Sequence, residues 1–253
     1  MRLRFVSILP TVLIVAVLSA AIFRAPSAPA QSLEAPPKVP EKSFTAANDL
    51  KITVRMIAPY AAETDLQIVC AFKHKEGGDK YIEAFQDFDD KLQGLLSSLR
   101  NRGEFAGELG ETILFNTWPA SIAPYRVLVI GLGPEKDLSL DTLRVIGRVA
   151  LREAVNLRAK DVAFAPVIRD QGNSTIDVGL CDRAIVEQIV LTYDTEKRLQ
   201  AEKLKEPFAI HEWVIEAGPA FVQDAMTKVG KGVDWASQAV KERPKTPYRV
   251  EKK

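Results

Sequence analysis

From Lys51 onward the hydrophobic pattern of the chain switches repeatedly between a period of two and a period near 3.6, and that alternation constrains the fold more than any single residue does. Ile52, Val54 and Met56 alternate along Lys51 to Ile57 as in a half-buried strand, and Asp65 to Phe72 is more continuously apolar. Tyr81 to Arg100 then sets Ile82, Phe85, Phe88, Leu92, Leu95, Leu96 and Leu99 on one face of a helix, with Asp87, Asp89 and Asp90 opposite as a solvated face. Two short strands follow, around Thr112 to Asn116 and Tyr125 to Ile130. After the tight turn Gly131-Leu132-Gly133-Pro134, Ser139 is placed to cap a helix striped by Leu140, Leu143, Ile146, Ala150 and Ala154. Asp161 to Pro166 reads as strand, Asp182 to Tyr193 as helix and Phe208 to Ile215 as a final strand. Pro219 opens a last helix carrying Phe221, Ala225, Val229, Val233, Ala236 and Val240, which stops before Pro244. Strands alternating with helices predict a three-layer α/β domain, a mixed sheet with helices on both faces.

The N-terminus has a different character. Arg2 and Arg4 precede an apolar run from Phe5 to Phe23, and Ala28-Pro29-Ala30 reads as an A-x-A cleavage site before Gln31, the layout of a secretory signal. The run is long enough to span roughly 28 Å as a helix, near the ~30 Å of a bilayer core, so a retained inner-membrane anchor is the alternative. The expected location is periplasmic or secreted. Cleavage would remove three basic and no acidic residues, taking the formal net charge from +1 to −2; so balanced a chain gives no electrostatic argument for nucleic acid. Residues 31–48, rich in Pro, Ala, Lys and Glu, read as a flexible tether, and the basic tail from Lys241 to Lys253 as frayed.

The chemistry-bearing residues are sparse. His74 and His211 are the only histidines and lie in different expected elements with no metal-ligand spacing; Asp87 and Asp89 diverge on a helix. A two-metal centre needs several carboxylates or histidines converging on ions about 3.5–4 Å apart, so no metal site is assigned. No G-x-S-x-G elbow is present. Cys70 and Cys181 lie in apolar surroundings; an oxidising compartment permits them to pair, and two buried thiols is the plainer reading. No catalytic residue and no cofactor is assigned. Gly131 and Gly133, after a strand and before a helix, are the candidate ligand loop, although Lys136 stands where a dinucleotide fingerprint has its third glycine. Tyr60, Trp118, Trp213 and Trp235 are candidates for a binding face, with core packing the commoner role.

Several segments in collinear order resemble one family: the strand ending Val69-Cys70-Ala71, the helix with Phe88-Asp89-Asp90 and Leu92, Gly103 to Glu111, Tyr125 to Gly133, Thr142-Leu143-Arg144, Glu187 to Lys205, and Gly230 to Ala236. Together, over roughly residues 49–247, they resemble the N-terminal domain of leucyl (cytosol) aminopeptidases. The family usually carries Arg-Asp-Leu-Val-Asn where this chain reads Ser237-Gln238-Ala239-Val240-Lys241. The resemblance implies a macrodomain-like fold, residues 49–206 as that domain, and residues 207–253 as a strand, an interdomain-type helix and the basic tail. It also implies that the two-metal peptidase site belongs to a separate domain, whose NTDAEGR signature this sequence lacks. The expectation is an exported, non-catalytic binding or assembly module, an accessory to a full-length aminopeptidase or to another protein partner or self-associating, through a face near Trp235, where the family's helix meets its catalytic domain. The alternative is a macrodomain-like protein or enzyme binding a nucleotide such as ADP-ribose.

Overall fold

Leu66–Ala71 (β3) and Arg126–Gly131 (β5) are almost unbroken apolar runs, and such strands are stable only where both faces of a sheet are covered. The computed structural model, which describes residues 39–248, places them side by side in a seven-stranded mixed sheet. The other strands are β1 (Glu41–Thr45), β2 (Lys51–Arg55), β4 (Thr112–Asn116), β6 (Asp161–Ala165) and β7 (Glu212–Glu216). Their order is β1-β2-β7-β6-β3-β5-β4. β1 and β4, at the two edges, run antiparallel to their neighbours and the five inner strands run parallel.

Each face has its own layer. Ile68, Leu128, Phe164, Trp213 and Ile52 point toward α3 (Leu140–Asn156), α4 (Val178–Ala201) and α5 (Val222–Glu242) in the larger core. Val69, Val127 and Val129 pack on the other face against Phe85 and Phe88 of α1 (Glu83–Lys91), Leu92 just after it, and Leu96 of α2 (Leu95–Asn101). Ser139 caps α3 as expected, its hydroxyl accepting from Thr142 N at 3.1 Å. The three-layer α/β reading holds.

Five local expectations are corrected. The single helix over Tyr81 to Arg100 is broken between Lys91 and Leu95, because Gln93 and Gly94 both take left-handed backbone, with φ of 56° and 74°. The break turns Asp89 inward. It is 2% exposed, and its carboxylate accepts from Leu96 N at 2.9 Å and from the Ser97 hydroxyl; only Asp87 and Asp90 remain on a solvated face. α4 begins four residues before Asp182, because Asp177 supplies the cap, accepting from Leu180 N at 3.0 Å. The tether does not extend to residue 48: Glu41–Thr45 pair with β2, and Ala47 N donates to the Ser237 hydroxyl of α5 at 3.1 Å. The tail is held as far as residue 248, with Arg243 donating to Asp194 at 2.8 Å and Tyr248 N to Glu202 at 3.0 Å.

The boundary expected at residue 206 does not divide the fold either, since β7 lies between β2 and β6 and α5 covers the sheet beside α4. The expected signal or anchor, residues 1–30, lies outside the described residues. Among the described residues no helix is long and apolar enough to cross a membrane.

Candidate functional site

In open sheets of parallel strands, ligands bind in the crevice beyond the strands' carboxyl ends. Here β2, β6 and β7 end around a cavity of about 470 Å³. Its floor is the exit of each strand, Met56–Ala58, Ala165–Val167 and Glu216–Gly218; the start of α1, the turn Arg169–Gln171 and the first turns of α4 wall it in. Ile57, Pro59, Pro166, Ile176, Val178 and Phe221 make most of that wall apolar.

Its lining includes Glu83, Asp170, Asp182 and Glu216, and among the described residues Arg169 is the only basic residue on it. Asp182 is 1% exposed, and among the described residues neither of its oxygens has a hydrogen-bond partner. Burial, reinforced by Asp224 and Asp177, pushes it up to about 8. Glu216 is 6% exposed. One of its oxygens accepts from Gln67 Nε2 at 2.7 Å and the other is unpartnered; burial raises it to about 8 against the opposing pull of Gln67 and Arg55. Asp170 accepts from Phe85 N at 3.1 Å and is raised to about 6, chiefly by burial. Arg169 lies over the Phe221 ring, 5.5 Å from its centroid.

Backbone strain accompanies these groups. Val167, β-branched, has φ 46°, and Glu83 has φ 51°, conformations such residues avoid unless their surroundings impose them. Gln171 imposes the first. Its buried amide accepts from Phe72 N at 2.9 Å and donates to Cys70 O and Val167 O, each at 3.1 Å, clamping the loop after β6 to the end of β3.

The loop singled out in the sequence lies elsewhere. Gly131 ends β5, and a Cβ there would sit 2.0 Å from Glu108 O; Gly133 has φ 74° and packs on Leu109. Both glycines serve a close approach of backbone to backbone, and neither lines the crevice. A shallower groove beside them is lined by Lys73, Lys75 and Lys136, but Lys73 pairs with Glu108 and Lys75 with Glu135. Cys70 and Cys181 are buried free thiols on separate elements, and burial raises both, Cys181 to about 12. His74 bonds Asp79 at 2.9 Å; Asp79, which burial alone would raise, is held below the usual range by Arg100 and His74. His211 lies apart on the surface. Among the described residues no group of three or more His, Cys, Asp or Glu is placed to hold a metal ion. Trp213 is in the core, Tyr60 is half-buried under Lys91, and Trp118 and Trp235 are each about half exposed.

Sequence reasoning passed over Asp170, Asp182 and Glu216. A signal existed for two of them: Asp182 interrupts the apolar face of Cys181, Ile185 and Ile189, and Glu216 ends the run Trp213-Val214-Ile215.

Residues 68–203 match the model of the cytosol aminopeptidase family N-terminal domain, which is more than half of the chain. The chain belongs to the cytosol aminopeptidase family. Within that family it is 28% identical over 138 residues to a probable cytosol aminopeptidase of Thermosynechococcus vestitus, covering 54% of this chain and 26% of that protein. The chain thus spans about a quarter of that relative's length. A tomato leucine aminopeptidase superposes with a TM-score of 0.53 at 20% identity, over 75% of this chain and 36% of the other. An Oceanobacillus iheyensis macrodomain solved with ADP superposes with a TM-score of 0.56 at 11% identity, over 78% of this chain and 99% of the other. At these identities the structures establish the fold, an aminopeptidase N-terminal domain of macrodomain-like architecture.

Proposed function

We propose that this protein is an exported, non-catalytic binding module of the cytosol aminopeptidase family, and that it works through the crevice at the carboxyl end of its sheet. One observation carries the reading. An apolar cavity large enough for a small ligand opens where β2, β6 and β7 end, and its lining includes Asp182 and Glu216, more than nine-tenths buried and with carboxyl oxygens that have no partner among the described residues. Such groups are costly to a fold that gains nothing from them. Export rests on the pattern of residues 1–30, and N-terminal sequencing of the protein from its native host would read it directly: Gln31 supports cleavage, and Met1 an anchor. Non-catalysis is part of the proposal, suggested by a family match confined to the N-terminal domain; turnover of leucine 4-nitroanilide with zinc or manganese present would overturn it.

The binding reading is tested by thermal shift against a chemically mixed set of metabolites, with Gly218→Leu as the control. Gly218 lines the crevice, and a Cβ there meets only the Phe221 ring, at 4.0 Å, so the variant fills the mouth without a backbone clash. Ligands that stabilise the parent and not Gly218→Leu support the reading. A set that leaves both proteins unmoved refutes it.

Two other readings each rest on an observation. ADP in a macrodomain of the same fold favours a nucleotide such as ADP-ribose, against which stand four acidic side chains and one basic one in this crevice. Assembly through α5 is favoured by Trp235, 50% exposed. Exposed Lys231, Asp234 and Gln238 surround it. Sedimentation velocity of the parent beside Trp235→Ala decides the second: a parent dimer that the variant loses supports it, and two monomers remove it.

A further inference from the structure

We propose that the protein pairs with a second copy of itself along the outer edge of β4, the two strands running antiparallel about a two-fold axis at Leu114, so that two sheets become one. The proposal is independent of the crevice, whose lining includes no residue of β4.

The two edges of the sheet are built differently. β1 carries Glu41 and Lys42, and Glu41 pairs with Arg55 of β2; charges of this kind keep other strands away from an edge. β4 has no such guard. Thr112 to Tyr125, the strand and the loop after it, holds no charged residue in fourteen positions, in a chain of which 26% is charged. The charges that flank this stretch are committed elsewhere: Glu111 accepts from Ala106 N and Glu108 N, and Arg126 donates to Asp65 O and Leu157 O. Among the described residues β5 is the single ladder partner of β4, which leaves its outer edge open.

The ladder fixes where the free peptide groups point. Gly131 N donates to Glu111 O at 2.8 Å and Thr117 N to Tyr125 O at 3.1 Å. Peptide groups alternate in direction along an antiparallel strand, so Ile113 and Phe115 also turn theirs to β5. Those of Thr112, Leu114 and Asn116 therefore point away from the sheet, an unpaired row that an added strand satisfies.

The side chains select the occupant. Thr112-Ile113-Leu114-Phe115-Asn116 reads polar, apolar, apolar, apolar, polar in either direction, so the strand complements itself. An antiparallel pair centred on Leu114 sets that residue opposite its own counterpart, Ile113 opposite Phe115, and Thr112 opposite Asn116. Leu114 exchanges both backbone bonds with its counterpart, Thr112 does so with Asn116, and no like charges meet. Leu114 stands beside Leu128 of β5, on the face that packs against α3 and α4, yet it is 42% exposed; its counterpart would cover it. Carried past the strand, the same register brings Trp118 of each copy near Leu109 and Gly110 of the other, and Trp118 and Leu109 are each about half exposed. These flanking contacts matter, because a five-residue strand pair alone falls short of the roughly 800 Å² per partner of a stable interface.

Sedimentation velocity of the full chain over about a hundredfold concentration range around micromolar should show a monomer–dimer equilibrium. Leu114→Lys and Leu114→Glu each set like charges opposite one another at the axis, and each alone should weaken the dimer by about tenfold or more. An equimolar mixture of the two should recover it, Lys opposite Glu. Because Leu114 lies at the surface of the single copy, both variants should keep the parent's circular dichroism and cooperative melt, and Trp235→Ala should dimerise as the parent does. The parent alone supplies a second readout. In residue-resolved hydrogen exchange the amides of Thr112, Leu114 and Asn116 should gain protection as concentration rises, while those of Ile113 and Phe115 are protected throughout. A parent that stays monomeric overturns the self-pairing and leaves the edge to an extended segment of another protein. A dimer that persists in both charge variants, whether through α5 or through the apolar run Phe5 to Phe23, overturns it too. So does exchange at Thr112, Leu114 and Asn116 that ignores concentration, and so does a mixture that stays monomeric where the parent dimerises.

Discussion

Asp182 costs the fold more as pH rises. Its ordinary value is 3.8 and its folded value about 8, so the native protein holds this proton more tightly than the unfolded chain does. The native state is favoured fully below about pH 4 and loses that advantage as pH climbs through 8. Asp182→Asn has no charge to bury and keeps the shape. The melting temperature of the ligand-free variant should match the parent near pH 4, exceed it increasingly between pH 5 and 8, and hold a constant lead above that. A lead independent of pH would mean that the carboxyl group does not titrate there. Gly131 is a residue of the opposite kind, fixed by space alone. A methyl group at its Cα would lie 2.0 Å from Glu108 O and 2.6 Å from Gly107 C, and backbone does not yield as a side chain does. Gly131→Ala should destabilise the protein by about 2–4 kcal/mol, in the range of severe overpacking, measured as a shift in urea midpoint; a loss below about 0.5 kcal/mol would refute the close approach.

The helices show which features of the fold the sequence carries. The stripe Phe85, Phe88, Leu92, Leu96 is legible because one continuous sheet face receives it, and it stays on that face across the break between α1 and α2. The break is not legible, because Asp89 looks like its exposed neighbours until its acceptors meet Leu96 N and the Ser97 hydroxyl seven and eight residues later. Asp89→Ala should therefore cost about 1–3 kcal/mol, leaving buried donors of α2 without a partner, while Asp87→Ala, on the solvated side, should cost under about 0.5 kcal/mol. Equal effects in chemical denaturation would return both residues to one exposed face. β1 is hidden for a related reason. Glu41–Thr45 has the polar, Lys-bearing composition that protects an edge strand, and composition of that kind is shared with a tether. Asp170 and Asp182 are twelve residues apart and Glu216 lies thirty-four beyond, and only the crevice where three strand ends meet brings all three onto one lining.

At the scale of the molecule, the stretch that carries the family match stops short of the fold that it needs. Residues 68–203 run from within β3 through β6 and α1 to α4, yet β7 inserts between β2 and β6 and pairs in parallel register with both, Trp213 with Ile52 on one side and Val162 on the other. Trp213 is wholly buried, 6.5 Å from the Phe164 ring, and α5 lays Ala225, Val229, Val233 and Ala236 into the larger core. Ending the chain at residue 206 would split the sheet into a β1–β2 hairpin and a four-stranded remnant, and an isolated hairpin has little stability in water. It would also uncover the β6 edge and the faces of α4 and β2 that α5 covers. The fragment 39–206 should consequently lose its near-ultraviolet circular dichroism and its cooperative melt and bind a hydrophobic dye, the behaviour of a collapsed chain without fixed packing, whereas 39–248 melts as one unit. A dispersed, sharply melting 39–206 fragment would make residues 207–242 an appendage. Because Glu216 to Phe221 also build the crevice, folding and ligand binding share the same late segment of the chain, and no truncation at that boundary can separate them.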